Sequence, residues 1–190
     1  RYHELSRVRR VEKDMKMYEK VTALYKKAAE QGLALAQFEY SRMIANTNPE
    51  QSIEWCYRAA VLGYTKAQIA YARMCNDDAV GFQFLKKAVS AGDARALNEI
   101  GMWFEKGRGC ERDVDRALKC YWEANDECAD AKYNVARCFE YGIVLNKDEK
   151  QAYKLYSSLR NRSNLAAVGI GRAYAYGRGV PVEMTLAIKT

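Results

Sequence analysis

Residues 28–37 read Ala-Ala-Glu-Gln-Gly-Leu-Ala-Leu-Ala-Gln, and related runs follow at 59–68 (Ala-Ala-Val-Leu-Gly-Tyr-Thr-Lys-Ala-Gln) and 88–97 (Ala-Val-Ser-Ala-Gly-Asp-Ala-Arg-Ala-Leu). The alanine four residues after each glycine marks a register that continues, without the glycine, at two later positions. These anchor alanines are Ala36, Ala67, Ala96, Ala131 and Ala166, and their numbers differ by 31, 29, 35 and 35. Internal similarity at such a period is typical of helical repeat proteins.

Several other positions keep the same register. Five residues after each anchor stands a small residue: Ser41, Ala72, Gly101, Ala136 and Gly171. Eleven residues after each of the last three anchors stands a glycine: Gly107, Gly142 and Gly177. An acidic residue follows six positions later (Asp113, Asp148, Glu183) and an alanine ten positions later (Ala117, Ala152, Ala187). Agreement at so many positions excludes chance and defines one repeating unit.

Each unit predicts two helices. Helix A begins at a capping residue, such as Asp113 or Asp148, whose carboxylate accepts from free backbone N–H groups. Helix A ends at the paired alanines, where Gly32, Gly63 or Gly92 stops it in a left-handed turn. Helix B carries the anchor alanine and ends near the second glycine. Asn48 followed by Pro49 predicts another capped start. Because one pair cannot bury its apolar faces alone, neighbouring pairs must stack.

Two segments resemble a known family. Residues 25–32 (Tyr-Lys-Lys-Ala-Ala-Glu-Gln-Gly) and 171–181 (Gly-Arg-Ala-Tyr-Ala-Tyr-Gly-Arg-Gly-Val-Pro) are similar to the Sel1-like repeat, a relative of the tetratricopeptide repeat. The resemblance covers about residues 18–190. It implies an all-α fold, a right-handed α-solenoid of about five helix-turn-helix repeats with an N-terminal helical extension. It also implies an adaptor role in protein complexes.

The sequence departs from the family pattern in places. The first two repeats are short and lack the Gly-x-Gly turn, so their connections must be tight. The fourth and fifth repeats lack the glycine after helix A, with Glu127 or Cys128 and Ser163 near its place. We expect local distortion at these turns.

The two ends of the chain carry further predictions. Residues 1–17 form a basic amphipathic helix that caps the array or links it to a partner, and residues 18–190 form the repeat array. The first 20 residues hold seven Lys or Arg against four Asp or Glu. An apolar stripe (Leu5, Val8, Val11, Met15, Tyr18, then Val21 or Thr22) fits one long helix or two stacked end to end. The sequence stops as a sixth helix A begins, so we expect a fragment whose last repeat is incomplete.

Composition restricts the function classes. No run of about 18 apolar residues exists, so no segment is expected to span a bilayer. The only histidine is His3, and the six cysteines form no CxxC pair, so we expect no metal site and no histidine-based relay. Gly-Arg-Gly at 107–109 and 177–179 are turns rather than phosphate loops. The carboxylates Asp126, Glu127, Asp130, Asp77 and Asp78 are expected to be helix caps rather than catalytic pairs. We therefore predict no catalytic, cofactor-binding or metal-binding residues.

Cysteine usage bears on the compartment. Unpatterned cysteines are expected as buried small residues in a reducing compartment. This favours the cytoplasm, with the endoplasmic reticulum lumen or a secreted effector as alternatives. The oligomeric state stays open.

Helix A supplies the predicted partner-binding row. In related solenoids helix A lines the concave face, and helix A packing leaves the two residues before the paired alanines facing the groove. The predicted residues are Lys26, Lys27, Tyr57, Arg58, Lys86, Lys87, Trp122 and Glu123, followed by Ser157 and Ser158. The lysines are either partner contacts or solvated surface, and Trp122 is either an anchor for a peptide or buried against the next repeat.

These observations favour a non-catalytic scaffold that binds a protein or peptide, and the basic residues of the row leave an acidic partner as one option. The alternatives are RNA binding by a basic helical-repeat groove, which the uneven repeat steps disfavour, or an accessory domain of a larger enzyme.

Overall fold

The computed structural model describes the backbone of residues 2–183 and the side chains of residues 14–183. This part of the chain forms ten α-helices and contains no strand. The helices are α1 (Tyr2–Glu30), α2 (Ala34–Ile44), α3 (Pro49–Val61), α4 (Thr65–Met74), α5 (Asp78–Ser90), α6 (Ala94–Lys106), α7 (Val114–Ala124), α8 (Ala129–Tyr141), α9 (Glu149–Ser158) and α10 (Asn164–Tyr176). The chain divides into two compact units, residues 1–76 with α1–α4 and residues 77–190 with α5–α10.

The predicted helix caps are confirmed. The side chains of Asn48, Asp113 and Asp148 each accept a hydrogen bond from the backbone N–H three residues later, at 3.1, 2.9 and 2.9 Å. Pro49 stands at the first position of α3, where its missing N–H is not needed. Asp77 caps α5 in the same manner, through two N–H groups.

The prediction that Asp126, Glu127 and Asp130 cap a helix is wrong in part. The residue that precedes α8 is Cys128, which makes no side-chain capping hydrogen bond. Asp126 and Glu127 lie in the preceding turn, whose backbone is closed instead by the Cys128 N–H bonding to the Ala124 carbonyl oxygen at 2.8 Å. Asp130 lies in the first turn of α8, where the helix dipole favours a negative charge.

Helix ends follow the glycine pattern. Gly32, Gly63 and Gly92 have φ values of 88°, 86° and 80°, so the predicted left-handed turns after helix A are confirmed. The later turns that lack this glycine are built differently, as expected. Asn125 continues right-handed after α7, and Ser163 before α10 caps that helix by accepting from the Ala166 N–H at 3.4 Å.

The first unit packs around small residues. Ala36 and Ala67 are 1% and 0% exposed. One position after each anchor, the amides of Gln37 and Gln68 donate to the Ala29 and Ala60 carbonyl oxygens of the preceding helix, both at 3.2 Å. The two repeats therefore share a hydrogen bond between consecutive helices as well as a close contact.

Helix α1 is continuous from Tyr2 to Glu30, which settles the choice between one helix and two. Its described stripe is only partly covered. Met15 and Tyr18 are 60% and 52% exposed, and the Tyr18 hydroxyl donates to the Met43 carbonyl oxygen at the end of α2 at 2.9 Å. The side chains of His3, Leu5, Val8 and Val11 and residues 184–190 lie outside the described residues. The division at residue 17 remains a prediction.

The second unit packs two tyrosines onto glycines. Tyr121 of α7 and Tyr156 of α9 are each 1% exposed. The Tyr121 ring lies where a Cβ on Gly101 would stand, and the Tyr156 ring lies against Gly169 in the same way. Replacing either glycine would push the ring away, so these positions fix how closely each pair of helices approaches.

A partly buried ion network repeats with a spacing of 35 residues. Glu105 accepts hydrogen bonds from Tyr121 at 2.8 Å and Arg137 at 2.5 Å. Glu140 accepts from the equivalent Tyr156 at 2.7 Å and Arg172 at 2.9 Å. Each glutamate thereby joins three helices.

The network lowers the glutamate pKa values. Burial of the Glu140 carboxylate, 3% exposed, raises its pKa, but the hydrogen bonds from Tyr156, Arg172 and Arg178 outweigh burial and leave the pKa below its ordinary value. Arg178 lies 2.6 Å from the second carboxylate oxygen. The same balance lowers the pKa of Glu105.

Glu140→Gln tests this network. Because the substitution leaves two partly buried guanidinium groups without their counter-ion, we expect a loss of about 2 kcal/mol in the free energy of unfolding at pH 7. The pKa of Glu140 is lower in the folded state than in the unfolded state. Glu140 therefore adds to the free energy of unfolding above the ordinary glutamate pKa of about 4.3, and this addition is lost as pH falls through the folded-state pKa. Urea unfolding of both proteins between pH 7 and pH 3 checks this. The exposed pair Glu54–Arg58 supplies the control, Glu54→Gln, with an effect under about 0.5 kcal/mol.

Equivalent positions in three loops share a left-handed backbone but not a residue type. Gly109, Val144 and Gly179 are 35 residues apart and have φ values of 64°, 64° and 76°. A Cβ on Gly109 would overlap the carbonyl oxygen of Asp78, and a Cβ on Gly179 would overlap that of Glu149. Val144 is thus a β-branched residue in a conformation that costs about 1–2 kcal/mol.

Substitutions at these positions should act in opposite directions. Val144→Gly removes the strain, and after the entropic cost of glycine we expect the free energy of unfolding to rise by up to about 1 kcal/mol. Gly179→Ala should lower it by more than about 2 kcal/mol, because strain and overlap add. Gly32→Ala has left-handed strain but open space around the new Cβ, so it should cost only about 1 kcal/mol. Equal losses for both alanine variants in chemical denaturation would contradict the overlap.

Candidate partner-binding site

All eight residues of the predicted binding row are exposed. Four lie in the first unit and four in the second. The first unit holds Lys26 and Lys27 on α1 and Tyr57 and Arg58 on α3, and the second holds Lys86 and Lys87 on α5 and Trp122 and Glu123 on α7. Ser158 is also exposed, whereas Ser157 is half-buried.

Helix packing explains the exposure of these positions. In α7 the buried residues are Ala117, Tyr121 and Ala124, which stand at helical spacing and form the inward face. Trp122 and Glu123 fall between two of these residues and therefore project outward.

The basic members of the row differ in how far they are already engaged. Arg58 stacks on Trp55, with its guanidinium carbon 4.6 Å from the ring centroid, and pairs with Glu54. The Lys86 and Lys87 ammonium groups lie 5.7 and 5.2 Å from the ring centroids of Phe82 and Phe84. These contacts orient the lysines but leave their charges at the surface.

Trp122 borders an apolar hollow in the second unit. The hollow has a volume of about 400 Å³ and is lined by Leu118, Lys119, Trp122, Glu123 and Leu145. Trp122 is 49% exposed, and its ring contacts Phe139 edge-on with centroids 6.0 Å apart. The alternative in which Trp122 is buried against the next repeat is therefore wrong.

Sequence reasoning missed three residues of this hollow. Leu118 and Lys119 lie one turn before Trp122 and Glu123 on α7, so helical spacing could have found them. Leu145 lies in the loop between α8 and α9, and only the three-dimensional arrangement brings it to α7.

Two of the buried cysteines are poorly suited to nucleophilic chemistry. No disulfide joins any of the six, all of which lie among the described residues, and three of them (Cys56, Cys128, Cys138) are buried. Burial raises the pKa of the Cys56 thiol to about 12 and that of Cys138 to about 11, so both stay protonated at neutral pH. Within the described residues no group of three or more His, Cys, Asp or Glu side chains is placed to hold a metal ion.

The helical pairs and their repeated contacts define the class of the protein as an α-helical repeat protein of the solenoid type. The profile of the Sel1 repeat matches residues 23–33, 34–64, 94–124, 129–161 and 164–189. These segments cover more than half of the chain, which therefore belongs to the Sel1 repeat family. Residues 65–93 lie outside the matched segments, although α4 and α5 occupy them and Ala67 is fully buried.

The matched segments also fix the phase of the repeat. Four of them begin at residues 34, 94, 129 and 164, where α2, α6, α8 and α10 begin. The family thus counts our helix B as the first helix of each repeat and our helix A as the second. The assignment of the predicted row to the concave face remains a prediction.

Known relatives agree with this membership. A Sel1 repeat protein from Oxalobacter formigenes has a crystal structure that superposes with a TM-score of 0.78 at 25% identity, covering 90% of this chain and 76% of that one. An uncharacterized Sel1-like repeat-containing protein of Schizosaccharomyces pombe is 25% identical over 142 residues, which are 74% of this chain and 20% of that protein. The mouse DAP3-binding cell death enhancer 1 is 30% identical over 86 residues, which are 43% of this chain and 17% of that protein. The chain thus spans about a fifth of the length of these two relatives.

Among the described helices, none combines the length and the apolar character needed to cross a bilayer.

Trp122→Ala tests the position of this side chain. Because half of Trp122 is exposed, we expect a loss of no more than about 1 kcal/mol in the free energy of unfolding. The matched control is Trp103→Ala, since Trp103 is 2% exposed and its truncation should cost about 3–5 kcal/mol. Urea unfolding of both variants measures the difference, and equal losses would place Trp122 in the core.

Proposed function

We propose that this chain is a non-catalytic scaffold or adaptor that binds a protein or peptide partner through the exposed residues of its helix A row. The observation that carries the proposal is Trp122, a large aromatic side chain half exposed beside an apolar hollow. Tryptophan in such a position is a common anchor of protein interfaces. Membership of the Sel1 repeat family supports the proposal, because these repeats generally serve as protein-interaction scaffolds.

Charge suggests the character of the partner in each unit. Lys26 and Lys27 in the first unit, and Lys86 and Lys87 in the second, are exposed and favour acidic residues on the partner. Glu123 beside Trp122 makes the α7 part of the row mixed in charge. The partner should therefore combine apolar anchors with acidic residues rather than be uniformly acidic.

One relative supports a protein partner by its name. The mouse relative is named as a DAP3-binding protein, so at least one protein with this similarity is named for binding another protein. We also propose a cytoplasmic location, since six cysteines that form no disulfide among the described residues suit a reducing compartment.

Selection from a random peptide display library tests the proposal, because it does not require the natural partner to be identified first. The chain is the target, and the variants Trp122→Ala and Lys86→Glu/Lys87→Glu are screened in parallel. We expect enriched peptides with micromolar affinity, a free energy of about −8 kcal/mol, that weaken at least about tenfold on Trp122→Ala. Leu165→Ala is the control, because Leu165 is a similarly exposed apolar residue of α10, away from the hollow.

Other outcomes would change the proposal. Peptides that bind wild type and all variants equally would move the binding surface away from the helix A row. Absence of enriched peptides, together with tight and strongly salt-dependent binding of a single-stranded RNA, would replace the proposal by nucleic-acid binding.

A further inference from the structure

We infer that the Trp122 hollow receives a large aliphatic side chain from an amphipathic helix of the partner, and that Val144 keeps the hollow open. The inference rests on the proposed function and deepens it.

The lining of the hollow selects an apolar side chain. Its walls are the side chains of Leu118, Trp122 and Leu145 with the aliphatic stem of Lys119. Leu118 also packs, with Leu145 and Phe139, onto the buried cluster around Tyr121, so the floor of the hollow is continuous with the core. A leucine or methionine entering from the partner would exchange water for contact with this apolar floor.

Two charges at the rim select a helix. Lys119 and Glu123 lie one helical turn apart, and neither forms an ion pair within the described residues. A partner helix that packs along α7 presents its own edge residues at the same spacing of one turn. An acidic and a basic residue four positions apart, beside an apolar stripe, would complement Lys119 and Glu123.

The loop that contributes Leu145 differs from its counterparts at Val144. In those loops Gly109 and Gly179 lie directly on the backbone of the first turn of α5 and α9. Val144 has the same left-handed φ and follows the same pattern of loop hydrogen bonds, with Ile143 N–H bonding to the Cys138 carbonyl oxygen as Arg108 N–H bonds to that of Trp103.

A side chain at this position has a steric consequence. Because Val144 has a Cβ, its loop cannot lie on the first turn of α7 as closely as the glycine loops lie on α5 and α9. The space beside α7 stays open, and Leu145, the next residue, becomes a wall of the hollow. The backbone at position 144 is therefore strained, and the strain accompanies an open binding space beside α7.

The probe is a blocked alanine-based helical peptide of about 20 residues, with two leucines one turn apart and a Glu and a Lys, four positions apart, at the edge of that stripe. A second peptide replaces both leucines by alanine. Binding is followed through the indole N–H signals of the three tryptophans in ¹H–¹⁵N spectra. Trp122→Phe identifies the Trp122 signal.

The leucine peptide should shift the Trp122 signal saturably below about 1 mM, a weak but specific affinity. The alanine peptide should bind at least about tenfold more weakly, because it buries less apolar area. Val144→Gly should weaken the leucine peptide at least about threefold while the folded state becomes more stable. Leu165→Ala should leave binding unchanged.

Specific results would overturn the inference. If Val144→Gly binds as wild type does, the role assigned to Val144 is wrong. If the leucine peptide leaves the Trp122 signal unmoved up to about 1 mM, or if both peptides shift it equally, the hollow is not an aliphatic site. The proposed function would survive either result if library peptides still depend on Lys86 and Lys87. It would fail only if the library selection gave one of the contradicting outcomes described above.

Discussion

Close contact at the anchor alanines is the constraint on which the rest of this protein depends. All five are at most 1% exposed, and each lies in the helix that follows a helix A. A larger side chain there would separate consecutive helices, and the glycine contacts of Tyr121 and Tyr156 would be lost with it. Small residues thus set the spacing of each pair, and the helix A residues that point away from this contact stay exposed at the surface.

The Glu-Tyr-Arg networks extend this constraint from one repeat to the next. Glu105 and Glu140 each accept from a tyrosine of the following helix and from an arginine one helix further along. Ion pairs of this kind add directional restraint that apolar contacts lack. In the second unit α7 joins one such network through Tyr121, and α9 joins the other through Tyr156, so Trp122 stands on a helix that is tied to both of its neighbours. A rigid support reduces the entropy that binding must offset.

Much of the fold could be predicted from the sequence because local rules decided it. Short polar side chains before a helix commonly cap it, as Asn48, Asp113 and Asp148 do. The turn after helix A requires a positive φ, which glycine adopts at positions 32, 63 and 92. The wrong predictions arose where contacts in the folded protein override what the local sequence favours. Asp126 and Glu127 read as caps, but the turn before α8 is closed by backbone bonds. The sequence repeats the glutamate, tyrosine and arginine of these networks 35 residues later, but only the structure shows that they bond to one another.

The candidate site shows why exposure was easier to predict than shape. Helical periodicity alone places Trp122 on the outer side of α7, opposite the buried Ala117 and Tyr121. The hollow beside it is lined in part by Leu145, from a loop about twenty residues later in the sequence that carries a valine where the equivalent loops have glycine. A repeat protein builds its frame from what its repeats share, so a site specific to one partner must arise where one repeat differs. Val144 breaks the local backbone rule directly before Leu145, so this loop departs from the pattern that the equivalent loops share.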